Sequence, residues 1–232
     1  MTLFGTMTGQ REWTGPIRDR EEAGRMLAER LLPWREERPA VIALPRGGVP
    51  VAAVIARTLA APLDILIVRK IGAPGNPEYG LGAIAEDGTI VMDEDRVREA
   101  GYSRSDLDPI VEEERLEIDR RSAVYRHGEP PLDLADHTVI LVDDGVATGV
   151  TVRTAARAIR GRHPRRVVLA FGVAPRETVE ALRPWADELV VLLAPSRFFA
   201  VGEWYQDFRP TEDWEVLRIL EEFRPRLARG TA

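Results

Sequence analysis

The 232-residue chain contains no cysteine, which excludes disulfides, thiolate nucleophiles and cysteine-ligated zinc together. Lysine is almost as scarce: of 32 basic residues only Lys70 is a lysine, the rest being arginine. Aromatic residues make up 6% of the chain, and many of them fall in its last forty or so positions. No apolar run is long enough to cross a bilayer, and the start has no signal-peptide layout, so a cytoplasmic protein without membrane association is expected. Charge of one sign is not concentrated anywhere. The net charge is −6 with acids and bases interspersed, leaving no basic stripe for nucleic acid. His127, His137 and His163 lie in polar connecting stretches, where a surface role is the expectation.

What is present is enough for one core. A hydrophobic content of 44% over this length supports a single domain at residues 16–232, preceded by a mobile tail at 1–15. Asp19 can cap a helix reaching about residue 32, with Ala23, Met26, Leu27, Arg30 and Leu31 on its inner face. Residues 40–44 read as a buried strand, 50–59 as a helix and 63–68 as a second strand, a βαβ unit with parallel strands. The Gly- and Pro-dense segment 71–82 reads as a long flexible loop. Residues 83–86 and 89–92 can pair through the turn dipeptide Asp87-Gly88. Helices are expected at 94–100 and 107–125, and strand, helix, strand at 166–173, 176–182 and 188–193. A last amphipathic helix at 212–223 offers Trp214, Leu217, Ile219 and Leu220 for packing. The alternation predicts an α/β fold with a doubly wound parallel sheet.

The most informative segment follows the short β-branched run at 139–142. It reads Asp143-Asp144-Gly145-Val146-Ala147-Thr148-Gly149-Val150-Thr151. The run predicts a central strand with both acids at its carboxyl end, the edge where open α/β sheets bind ligands. Small residues then allow close backbone approach, and a helix opening near Gly149 presents free N–H groups and a positive dipole end. A phosphate monoester fits there, with the Thr148 and Thr151 hydroxyls as added donors, while the carboxylates can accept from ribose hydroxyls. A P-loop is excluded because no Lys follows Gly149.

At these residues the chain resembles the type I phosphoribosyltransferases, whose signature is an acidic pair, a short spacer and a Thr-Gly turn closed by Thr or Ser. The resemblance extends through Pro45-Arg46-Gly47-Gly48, similar to the loop that grips pyrophosphate in that family, and implies a cis peptide between Arg46 and Gly47. It continues at Val68-Arg69-Lys70, which resembles the basic strand end before the family's flexible catalytic loop; here that loop would be 71–82, with Glu78 and Tyr79 at its centre. In a strand Arg69 and Lys70 point to opposite sides, and the lone lysine is weighted above its neighbour. Residues 195–232 resemble a small C-terminal hood and terminal helix. Phe199, Trp204 and Asp207 are its base-binding candidates, although the same aromatics could instead form core or a homodimer contact.

The resemblance implies a Mg²⁺-dependent transferase that moves 5-phosphoribosyl from phosphoribosyl pyrophosphate to a nitrogen nucleophile, such as a purine-like base. Lys70, Asp143 and Asp144 are the catalytic candidates, with the two aspartates near the metal, directly or through water. Arg46, Gly47, Gly48, Arg69, Lys70 and residues Asp143 through Thr151 would hold the donor. Ala147 stands where oxopurine members carry an aspartate, which argues against the ordinary oxopurine mechanism. The competing expectation is a regulatory protein that binds phosphoribosyl pyrophosphate or a nucleotide without turnover.

Overall fold

A computed structural model describes residues 15–224. Residues 1–14 of the tail expected at 1–15, and the end of the chain from 225, lie outside the described residues. Helix α1 (Arg20–Leu31) begins where Asp19 accepts from the Glu22 N–H at 2.7 Å, and it buries Ala23, Leu27 and Leu31. Strand β1 (Ala40–Ala43) is wholly buried, and α2 (Gly48–Leu59) starts two residues before Pro50. The apolar run at 63–68 is divided between two sheets: β2 (Leu63–Ile65) pairs with β1, whereas Val68 opens β3 (Val68–Ala73). Buried Leu66 and Ile67 form the bridge.

The segment expected as a loop is a hairpin. Residues 71–82 fall in β3 and β4 (Asn76–Ala85), turning at Gly75 with φ of 74°. Ile71 pairs with Gly82 and Gly72 with Gly80, across a bulge. The glycines here permit close strand approach, since a β-carbon on Gly72 would lie 2.5 Å from the Pro77 carbonyl oxygen. Residues 71–73 and 81–85 are buried on both faces, and β5 (Ile90–Met92) completes an antiparallel wing through the expected Asp87-Gly88 turn. Short helix α3 (Glu94–Glu99) and long helix α4 (Arg104–Arg126) cover the wing. Helix α4 starts three residues earlier than expected because Ser103 and Asp106 form a capping box.

Strand β6 (Thr138–Gly145) carries the acidic pair and is followed by α5 (Val150–Arg160), β7 (Arg166–Val173), α6 (Arg176–Leu182) and β8 (Glu188–Leu193). The parallel sheet has the order β2-β1-β6-β7-β8, placing β6 at its centre. Period-two alternation divides the core between its faces. Ile140, Val142, Val168 and Ala170 pack with α1 and α2, whereas Val139, Leu141, Val167 and Leu169 pack with α5 and α6. The fold is thus an α/β domain wound on both faces of a parallel sheet.

The terminal helix α7 (Asp213–Phe223) buries Val216, Ile219 and Leu220. Trp214, expected to pack, is 62% exposed, because the stripe through those three residues turns it toward solvent. Among the described residues no helix is long and apolar enough to cross a membrane.

Candidate functional site

The site forms at the carboxyl end of β6. Continuing the strand's alternation, Asp143 extends the Leu141 row on the α5 face and Asp144 the Val142 row on the α1 and α2 face. The Asp143 carboxylate accepts from the Asp144 N–H at 2.9 Å. Asp144 is 8% exposed, and its Oδ2 accepts from Arg20 Nε at 2.8 Å. Its carbonyl accepts the Tyr205 hydroxyl at 2.6 Å. Burial, and then the Asp144 charge, push the Asp143 carboxyl well above the usual carboxylate range. Burial raises Asp144 as well, but Arg20 opposes it, so Asp143 is the member that holds a proton more readily.

The Pro45–Gly48 loop lies directly on this pair. A β-carbon on Gly47 would sit 2.0 Å from Asp144 Oδ2, and one on Gly48 would sit 2.7 Å from the Val142 carbonyl oxygen. The cis peptide lies between Pro45 and Arg46, one bond upstream of the expected position, and Gly47 has helical dihedrals as the cap of α2. Arg46 reaches the start of α7, with Nη1 at 3.5 Å from Asp213 Oδ1 and 3.8 Å from Glu212 Oε2.

The 145–151 segment turns at Gly149, whose φ of 77° suits glycine and whose added β-carbon would meet Thr178 at 3.2 Å. Thr178 also donates to the Ala147 carbonyl at 2.6 Å, fixing the turn from α6. Ala147 and Thr148 are exposed, and Val150 begins α5, so its first N–H groups face the turn. Gly145 sits against Val201, and Val146 is buried in the core. Those two shape the turn and offer no side-chain chemistry to a ligand.

Two clefts flank this turn. The larger, about 880 Å³, is lined by Pro45, Arg69, Lys70, Glu78 and Thr151, together with Asp106, Glu113 and Glu114 of α4. Lys70 is exposed into it, while Arg69 is engaged by Glu114 at 2.6 Å and is not free in the way Lys70 is. The smaller, about 570 Å³, is lined by Ala147, Thr148, Arg176, Ser196, Phe198 and Phe199. Phe199 is 87% exposed there. Tyr79 lines neither cleft and lies near Arg96, whose guanidinium is 5.9 Å from its ring centroid.

The other hood candidates do not join Phe199. Trp204 packs against the core with its indole N–H unpartnered, and Asp207 is paired with Arg209 at 2.7 Å. Local chain geometry explains this, because the backbone around Trp204 and Asp207 is tied to residues 17 and 18: Ile17 N–H donates to Trp204 and Asp207 N–H to Arg18, both at 2.8 Å. Sequence reasoning passed over Arg20 and Tyr205. The only local sign was a charged residue at the first position of a helix, and nothing along the chain indicates that it meets residue 144.

Among the described residues no group of three or more His, Asp or Glu side chains converges as a ready-made metal cage. At the end of β6 the two aspartates supply hard oxygen donors, a kind of ligand that suits Mg²⁺ sharing its remaining positions with water and phosphate oxygens. Asp143 is the freer of the two, since one oxygen of Asp144 already serves Arg20.

Comparison with known proteins assigns the chain to a family. A family profile described as "Phosphoribosyl transferase domain" matches residues 18–206. Two Mycobacterium tuberculosis proteins provisionally named phosphoribosyl transferases, MT0597 and Rv0571c, are each 41% identical over 203 residues. The match covers 88% of this chain and 46% of each relative, so the chain spans about half their length. The crystal structure of TT1426 from Thermus thermophilus is 43% identical with a TM-score of 0.77, covering 90% of this chain and all of that one. A hypothetical Neisseria gonorrhoeae protein solved with bound ppGpp, 14% identical with a TM-score of 0.50 over 93% of this chain and 100% of its own, shares the fold alone. The chain belongs to the phosphoribosyl transferase family.

Proposed function

We propose that the protein transfers 5-phosphoribosyl from phosphoribosyl pyrophosphate to a nitrogen nucleophile, releasing pyrophosphate, with Mg²⁺ as the cation. The observation that carries this reading is the juxtaposition of three elements distant in sequence. The Pro45–Gly48 loop lies on the Asp143–Asp144 pair, and Pro45, Lys70 and Thr151 share one cleft.

In this reading the first N–H groups of α5 and the Thr148 and Thr151 hydroxyls hold the 5-phosphate. Asp143 accepts hydrogen bonds from ribose hydroxyls. Arg46, the backbone at Gly47 and Gly48, and Lys70 hold the diphosphate and stabilise its charge as it departs. The bond from the anomeric carbon to the diphosphate oxygen breaks as the bond to the acceptor nitrogen forms, through an oxocarbenium-like state. The acceptor nitrogen loses its proton to solvent or to the released diphosphate. Asp143 and Asp144 would hold Mg²⁺, which when bound neutralises diphosphate charge. The 570 Å³ cleft beside Ala147 is the acceptor's place, with Phe199 as a stacking surface and no carboxylate at 147 to address a purine imidazole.

The test is pyrophosphate release from the donor with Mg²⁺ across a panel of purine, pyrimidine and amine acceptors. Turnover with at least one acceptor is expected. Tight donor binding with no turnover across the panel overturns the transferase reading in favour of a sensor of the same ligand.

A further inference from the structure

Arg20, at the first position of α1, meets three groups distant from it in sequence. Its Nε donates to Asp144 Oδ2 at 2.8 Å, its Nη1 donates to the Arg209 carbonyl at 2.7 Å, and its guanidinium lies 4.0 Å above the Phe208 ring. The ion pair is enclosed, with side chains 12% and 11% exposed. Tyr205 completes the arrangement by donating to the Asp144 carbonyl at 2.6 Å and packing against Phe208 at 5.0 Å between centroids.

A buried ion pair contributes little net stability compared with apolar residues of the same volume, because both charges lose their hydration. Its geometric effect is larger. With Oδ2 on Arg20 and the Gly47 α-carbon packed against the same carboxylate, Asp144 is confined to one orientation. That orientation in turn sets how closely the 45–48 loop can approach β6. The far edge of the guanidinium is held by segment 205–209, so loop and hood are joined through one planar cation. A lysine could form the ion pair, but its single nitrogen cannot occupy both of the positions from which Nε and Nη1 reach Asp144 and the Arg209 carbonyl.

Resting on the phosphoribosyl reading above, we propose that Arg20 is a positioning residue for the sugar phosphate. It orients Asp144, and through it the Gly47 loop, and ties their placement to the hood around Phe208. Inorganic phosphate, held by the α5 turn on the other face of the sheet, is outside its influence.

Calorimetric titrations of ribose 5-phosphate and of inorganic phosphate into the wild-type protein, Arg20→Gln and Arg20→Lys, with thermal midpoints, test this. Arg20→Gln should weaken ribose 5-phosphate by roughly tenfold or more, the scale found when an orienting partner of a binding group is removed. Its affinity for inorganic phosphate should stay within about twofold. Arg20→Lys retains the charge beside Asp144 and should fold even where Arg20→Gln does not, recovering only part of the sugar-phosphate affinity. Unchanged ribose 5-phosphate binding in both variants overturns the positioning role. So does equal weakening of both ligands in step with a lowered midpoint, which would mark Arg20 as purely structural. If the wild-type protein binds inorganic phosphate but no sugar phosphate, the phosphoribosyl reading itself falls.

Discussion

Gly47 and Asp144 occupy adjoining space so tightly that a β-carbon on the glycine would lie 2.0 Å from the Asp144 carboxylate. Gly47→Ala must therefore push the 45–48 loop off the strand end or drive Asp144 away from Arg20. Either movement separates the proposed diphosphate grip from the acidic pair. We expect donor affinity to fall more than tenfold and stability to drop by about 1–3 kcal/mol, the usual cost of overpacking. Titration of phosphoribosyl pyrophosphate checks this, and wild-type affinity would show that the loop does not hold the donor.

The two aspartates should behave in opposite ways when neutralised. Asp144→Asn leaves the Arg20 guanidinium buried without a counter-charge, so a loss of about 3–5 kcal/mol accompanies weaker donor binding. Asp143 has its carboxyl raised by burial and by Asp144. Its ionisation therefore disfavours the fold increasingly as pH rises from the unfolded value toward the folded one, and at neutral pH the cost is present. Asp143→Asn should raise the thermal midpoint at pH 7 while lowering donor affinity. A lowered midpoint would show that Asp143 is stabilised as a carboxylate.

Lys70 makes no ion pair among the described residues and is exposed into the 880 Å³ cleft. Lys70→Ala should leave stability within about 0.5 kcal/mol, as at other exposed positions. Turnover should fall by roughly 100-fold if the ammonium stabilises the leaving diphosphate. Lys70→Arg should recover only a small part of it, because a planar guanidinium does not reproduce a compact ammonium. Steady-state rates for the three proteins decide the matter; full activity in Lys70→Ala would remove the residue from the mechanism.

Tyr125 donates to Asp213 at 2.5 Å, joining α4 to the acidic start of α7. Burial, and then this hydrogen bond, push the hydroxyl up from 10.0 to about 12. A raised pKa means that the stabilisation is complete below the unfolded value of 10.0 and is lost as pH climbs through about 12. A rise of that size corresponds to about 2.7 kcal/mol. Half-exposed Asp213 screens the pair and leaves ~1 kcal/mol. Chemical denaturation at pH 9 and pH 12 should show this increment in the wild-type protein and its absence in Tyr125→Phe; an equal loss in both proteins would place the alkaline sensitivity elsewhere.

The Asp143–Thr151 segment was legible because its meaning is local. A β-branched run, two acids, a glycine that tolerates positive φ and a helix start are all consecutive in the chain, and they lie together in the fold as they lie in sequence. The hairpin at 71–82 was not legible for the opposite reason. Gly72 and Gly82 look like loop residues along the chain, yet each is a place where backbone or a Met92 sulfur comes too close for a side chain. Arg69 shows a further limit, since its engagement by Glu114 joins residues 45 positions apart.

Residue order and period alone were sufficient for the parallel sheet, the turn at Gly149 and the isolated Lys70, since those depend on which neighbours a residue has along the backbone. The hold of Arg20 on Asp144, 124 positions away, was decided by packing. It exists because strand alternation turns Asp144 toward α1, where burying a carboxylate requires a partner, and the chain's first described helix delivers one.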